Sequence, residues 1–148
     1  MSGESIFASP SKDAAVALLQ MANLPASDLT NAHMQDFFYC GDATAPKALV
    51  GVEFCGSSAL LRSLVVSPDF RGRGLGSRLV RHIENLARER GVRSVYLLTT
   101  DAGSFFERCG YAVAERVSAP AGIRATREFS ELCPTDCTFL IKRLSDTT

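Results

Sequence analysis

The chain is 148 residues long, about the length of one ordinary domain, and is read as a single domain spanning residues 1–148. Sixteen basic residues balance sixteen acidic ones, so no net field draws the molecule to nucleic acid or to an anionic membrane surface. No stretch approaches the roughly 20 apolar residues that span a bilayer, and Met1-Ser2-Gly3-Glu4-Ser5 lacks the cationic and apolar regions of a secretory signal. A soluble, cytoplasmic protein without nucleic-acid or membrane partners is expected; a homodimer stays open. The five cysteines, at 40, 55, 109, 133 and 137, form no CxxC pair. They read as reduced, buried thiols with no metal site.

In chain order, the spacing of Ala14, Ala15, Leu18 and Leu19 predicts a helix over 11–21, and Ser27 with Asp28 suggests caps for a second over 27–36. Three β-rich runs follow, Phe37 to Cys40, Leu49 to Phe54 and Ala59 to Val66, separated by Gly41-Asp42 and Gly56-Ser57 turns. They predict an antiparallel meander. After Pro68 the period changes: Leu75, Leu79, Ile83, Leu86 and Ala87 mark a helix that Gly91 stops. Next come a strand over 94–99, a short helix capped by Asp101 and carrying Phe105 and Phe106, a strand over 111–117, a helix over 120–132 and a last strand over 138–141.

The segment Arg71-Gly72-Arg73-Gly74-Leu75-Gly76 lies between a strand and a helix. Glycines there let the backbone approach a ligand closely, and the free N–H groups of a helix start suit a pyrophosphate. Glycines at a helix start also make plain tight turns, so the surroundings must decide. A dinucleotide fingerprint would follow the first strand of a βαβ unit, whereas this loop follows a mid-chain meander.

The loop, its lead-in Leu64-Val65-Val66-Ser67-Pro68-Asp69-Phe70, and the downstream block Ala102-Gly103-Ser104-Phe105-Phe106-Glu107-Arg108-Cys109-Gly110-Tyr111 together resemble the GNAT superfamily of acyl-CoA-dependent N-acyltransferases. The resemblance runs from about Leu49 to Ile141. It implies an α/β (α+β) fold with a strongly twisted mixed sheet flanked by helices, two parallel central strands splaying around the acyl-CoA. It implies acetyl-CoA as cosubstrate, without a metal. The backbone of Leu64 and Val66, with Val65 between them, would bind the pantetheine arm. Arg71, Gly72, Arg73, Gly74, Gly76 and Ser77 would surround the pyrophosphate, and Thr99 and Phe106 would lie by the cofactor where the superfamily often carries asparagine and tyrosine. A narrower likeness, in Leu61-Arg62-Ser63-Leu64, Tyr96-Leu97-Leu98-Thr99-Thr100, Ile123 to Phe129 and Leu132-Cys133-Pro134, is to a GNAT subfamily encoded with bacterial arsenic-resistance genes. It implies detoxification of a small amine, an amino-acid-like toxin or an organoarsenical; a peptide or protein acceptor and a non-catalytic acyl-CoA sensor are the alternatives.

Acetyl transfer needs a deprotonated amine and a proton for the departing thiolate. Phe106 has no proton to give, which leaves water, Thr99 or Tyr111. If Gly56-Ser57 makes a two-residue hairpin, Glu53 lies diagonal to Arg62. Glu53 is then the candidate base, or else one half of a structural ion pair with Arg62. Strand alternation puts Leu60, Arg62 and Leu64 on one face, from which Arg62 could grip an anionic acceptor group. Arg124 and Arg127 are further candidates for the acceptor site, or else belong to a solvated helix face.

Overall fold

The computed structural model describes residues 5–100, 102–127, 129 and 137–144. Seven strands, β1 (Phe7–Ala8), β2 (Phe37–Asp42), β3 (Ala45–Cys55), β4 (Ser58–Val66), β5 (Ser94–Thr99), β6 (Ala112–Val113) and β7 (Thr138–Arg143), form one mixed sheet in the order β1-β2-β3-β4-β5-β7-β6. The helices are α1 (Lys12–Met21), α2 (Leu75–Glu89), α3 (Gly103–Arg108) and α4 (Ala121–Arg124). The expected mixed α/β architecture is thus present. None of the helices among the described residues is long and apolar enough to cross a membrane.

The chain clusters into two compact units, one of residues 1–52 and 63–82, the other of 53–62 and 83–148. In the first, α1 starts where the Ser11 side chain accepts the Ala14 N–H at 3.3 Å, and it buries Ala15, Leu18 and Leu19 against Leu29, Met34, Phe37, Tyr39, Leu49 and Val65. Phe37 pairs with Gly51 across the antiparallel β2–β3 ladder. A Cβ at Gly51 would come within 2.5 Å of the Phe37 ring, so only glycine leaves that ring its seat. Burying such an aromatic side chain in full contributes on the order of 2–3 kcal/mol. In the second unit Leu60, Tyr96, Ala119, Ile123 and Phe139 form the core, with Tyr96 and Phe139 stacked at 5.4 Å.

Several expectations need correction. The helix over 27–36 shrinks to a 3₁₀ turn at His33–Asp36. Its Asp28 and Leu29 are buried, and the stretch lacks an apolar stripe long enough to hold an α-helix. The strand over 111–117 is two residues long, ending where Glu115 opens a 3₁₀ turn at Arg116–Ser118. The helix over 120–132 is broken by a turn and bend at Ala125 and Thr126 after Ala121–Arg124, and Cys133, like most of 128–136, lies outside the described residues, as does the predicted cap Asp101. Cys40 and Cys137 are buried, but Cys55 and Cys109 are only partly so; none of these four forms a disulfide.

A buried polar cluster closes the second unit. Glu84, 4% exposed, accepts the Tyr111 hydroxyl at 3.0 Å on one carboxylate oxygen and Lys142 Nζ at 3.0 Å on the other. Lys142 also donates to the Cys109 carbonyl at 2.8 Å. Burial, followed by the charge of Glu84, pushes the Tyr111 phenol up from its ordinary 10.0. A raised folded pKa means the folded state holds the proton more tightly, so this contribution is complete below about pH 10 and is lost as pH rises further. Tyr111→Phe should therefore lower stability by about 1–3 kcal/mol at neutral pH. It should also flatten the alkaline fall of the melting temperature, which melts from pH 7 to 11 would read.

Candidate active site

The β4–β5 pairing is parallel and is recorded for Ser58↔Ser94, Ala59↔Val95 and Leu60↔Tyr96, although β4 continues to Val66 and β5 to Thr99. Within β4 Ser63 has a φ of 62°, which puts an ordinary L-residue in the left-handed region. After it Val65 is buried in the first unit's core while Leu64 and Val66 are half-exposed. No sequence signal marks Ser63.

After β4 the 3₁₀ turn Pro68–Phe70 leads into the glycine loop. Gly72 and Gly74 have φ of 81° and 77°, and an added Cβ would meet nothing within 4 Å at either. The glycines thus serve backbone conformation and leave open space in front of them. Arg71, Gly72, Arg73 and Gly74 are exposed; Gly76 and Ser77 lie half-buried in the first turn of α2. The first amide to bond along the helix is that of Arg78, donating to the Gly74 carbonyl at 3.1 Å, so the preceding N–H groups have no intrahelical acceptor. Arg71 Nε donates to the Val66 carbonyl at 3.2 Å. Arg73 lies over the Phe70 ring, 5.4 Å from its centroid.

In the other unit a two-residue connection, Gly56-Ser57, joins β3 to β4 with φ of 66° at Gly56. It sets Glu53 diagonal to Arg62, and Arg62 Nη1 meets Glu53 Oε2 at 2.8 Å. The arginine side chain has 0% exposure and the glutamate 21%. Arg62 is thus engaged with Glu53 inside the protein, and the carboxylate retains an accessible edge.

Thr99 Oγ1 accepts the Ala102 N–H at 3.0 Å, a bond that occupies a lone pair and leaves the hydroxyl proton available. Phe106 is buried edge-on between Phe105 and Tyr111, at 5.0 and 5.8 Å. Tyr111 is committed to Glu84 and cannot serve a thiolate. Arg124 Nε and Nη2 donate to the carbonyls of Ala119 and Val117 at 2.9 and 3.2 Å. Its guanidinium closes the turn that opens its own helix, and Arg127 is exposed beyond it.

The family model of the acetyltransferase (GNAT) domain matches residues 35–113, the span from β2 through the glycine loop to β6. An uncharacterized N-acetyltransferase of Chlorobaculum tepidum is 36% identical over 94 residues, which cover 62% of this chain and 59% of that protein. The amino-acid acetyltransferase of Pseudomonas syringae pv. syringae is 37% identical over 54 residues, 36% of this chain and 12% of that one. Among solved structures, N-acetylglutamate synthase from Neisseria gonorrhoeae, complexed with coenzyme A and N-acetyl-glutamate, shares the fold with a TM-score of 0.82 at 21% identity, over 98% of this chain and 36% of that chain. The chain thus spans little more than half of the first relative and a smaller part of the others. With the loop, the parallel β4–β5 pair and the family match in agreement, the chain belongs to the GNAT family of acetyltransferase domains.

Proposed function

We propose that this chain acts as one catalytic domain, a cytoplasmic acetyl-CoA-dependent N-acetyltransferase whose acceptor is a small amine bearing an acid group. The observation that carries the reading is the loop Arg71 to Ser77, where two left-handed glycines front open space at the start of a 15-residue helix. Such a helix end offers unpaired N–H groups and a partial positive charge to a pyrophosphate. Leu64 and Val66, both half-exposed, suit a pantetheine arm, and the coenzyme A held by the Neisseria structure supports that choice of cofactor. The Pseudomonas relative, an amino-acid acetyltransferase, supports an amino-acid-like acceptor. A resistance role toward a toxin or an organoarsenical amine is the narrower form of the same reading.

In the reaction the amine nitrogen attacks the thioester carbonyl directly. The tetrahedral intermediate then collapses with loss of the CoA thiolate, and no covalent enzyme intermediate forms. Glu53 is the base, removing the amine proton directly or through water, and Arg62 orients it through the 2.8 Å bond. The proton for the thiolate comes from water or from the Thr99 hydroxyl, since Phe106 has none.

The test is CoA release with matched acceptors: free amino acids, their amides and a short peptide. Glu53→Gln, nearly isosteric and still able to accept from Arg62, should lower kcat/KM about 100-fold or more with acetyl-CoA affinity unchanged. Turnover of peptide but not of free amino acids would move the acceptor to a protein or peptide. Bound acetyl-CoA with no turnover on any amine would leave a non-catalytic acyl-CoA sensor.

A further inference from the structure

Phe70 carries two cations. Lys47 Nζ, from β3, is 5.1 Å from the ring centroid, and Arg73, from between the loop's two left-handed glycines, is 5.4 Å from it. The backbone fixes this arrangement at both ends. The Lys47 carbonyl accepts the Ser67 N–H at 2.8 Å, and the Phe70 N–H bonds the Ser67 carbonyl at 2.9 Å. The ring is only half-buried, so it serves as more than core packing.

We infer that Phe70 is a positioning residue of the cofactor site: its ring holds the Arg73 and Lys47 side chains in place to meet the phosphates of a nucleotide-bearing acyl donor. This rests on the acetyl-CoA reading above and adds a specific residue to it. An exposed arginine next to a glycine has many rotamers and must lose them on binding. The negative face of an aromatic ring attracts a cation within about 6 Å and reduces that loss by paying part of it in the free protein. Two like charges near one ring also concentrate positive potential where a dianionic pyrophosphate would lie. Arg71 is held separately, by the Val66 carbonyl, so the loop's two arginines have different anchors and only one depends on Phe70.

Calorimetric titration of the chain with CoA tests this. Phe70→Leu keeps an apolar side chain and removes the ring, and CoA affinity should fall about fivefold to tenfold. Phe70→Tyr should stay within about twofold of the unmodified protein. In an Arg73→Ala background Phe70→Leu should cost less than it does alone, because one of its cations is already gone. A polyfluorinated phenylalanine at position 70 keeps the shape and weakens the negative face; it should reproduce part of the loss even if the leucine variant fails to fold. Unchanged affinity in the fluorinated protein, or full additivity of Phe70→Leu and Arg73→Ala, overturns the proposal and leaves acetyl-CoA binding intact. Failure of the unmodified protein to bind CoA overturns both readings.

Discussion

Gly74→Glu is expected to raise the CoA dissociation constant at least about 100-fold in a chain that still folds. At φ of 77° an L-residue costs about 1–2 kcal/mol, and no atom within 4 Å of the added Cβ blocks the new side chain. The fold therefore survives, with a melting temperature lower by a few degrees. A carboxylate at the start of α2 would then itself sit by the helix's positive end, where it is stabilised, and repel the pyrophosphate meant for that place. Gly74→Ala separates the causes, since it carries the strain without the charge and should lose far less affinity. CoA binding to folded Gly74→Glu at unchanged strength would remove the loop from the cofactor site.

Arg62→Ala should lower stability by about 2–4 kcal/mol, a fall of roughly 10 °C in melting temperature. It empties a space that the fully buried side chain now fills, and it leaves Glu53 without its 2.8 Å partner. The estimate stays below that for a wholly buried ion pair, because Glu53 keeps 21% exposure and can be rehydrated. Turnover should fall as well, through loss of the Glu53 orientation, and equally for acid and amide acceptors. If Arg62 instead grips the acceptor's acid group, the melting temperature will hold and only acid-bearing acceptors will suffer. Thermal melts alongside kinetics on such a matched pair decide between the two roles.

What could be read from the residues was local and periodic. The 3.6-residue recurrence from Leu75 to Ala87 and the run Ser94 to Thr99 became α2 and β5 nearly residue for residue. The Gly56-Ser57 spacing likewise brought Glu53 to Arg62. What depended on tertiary context was hidden. Ser63 is an unremarkable strand residue by composition, yet its φ is left-handed. Arg124, read either as a substrate contact or as a solvated face, closes its own turn on the Ala119 and Val117 carbonyls, a short-range use that charge patterning does not reveal. Lys47 and Phe70 are 23 positions apart in a sheet-to-loop contact, so no motif joins them. Glu84 carries no signal in the sequence, yet it is buried and bonded to Tyr111 and Lys142.

The strand order also bears on how the chain acquires its structure. The β2–β3 ladder closes early, pairing Cys40 with Ala48 across a short loop, whereas Ser58 must find Ser94 and Ser94 must find Arg143. Each such closure costs only about 1 kcal/mol more than the hairpin, but the encounters are slower. β7 is inserted between β5 and β6 although it follows both in the chain. Until it arrives, one edge of Ser94–Thr99, with its valine, tyrosine and two leucines, has no partner. A nascent or truncated chain ending before Thr138 would present that apolar edge to its neighbours, and self-association through it is the hazard such a topology carries during synthesis.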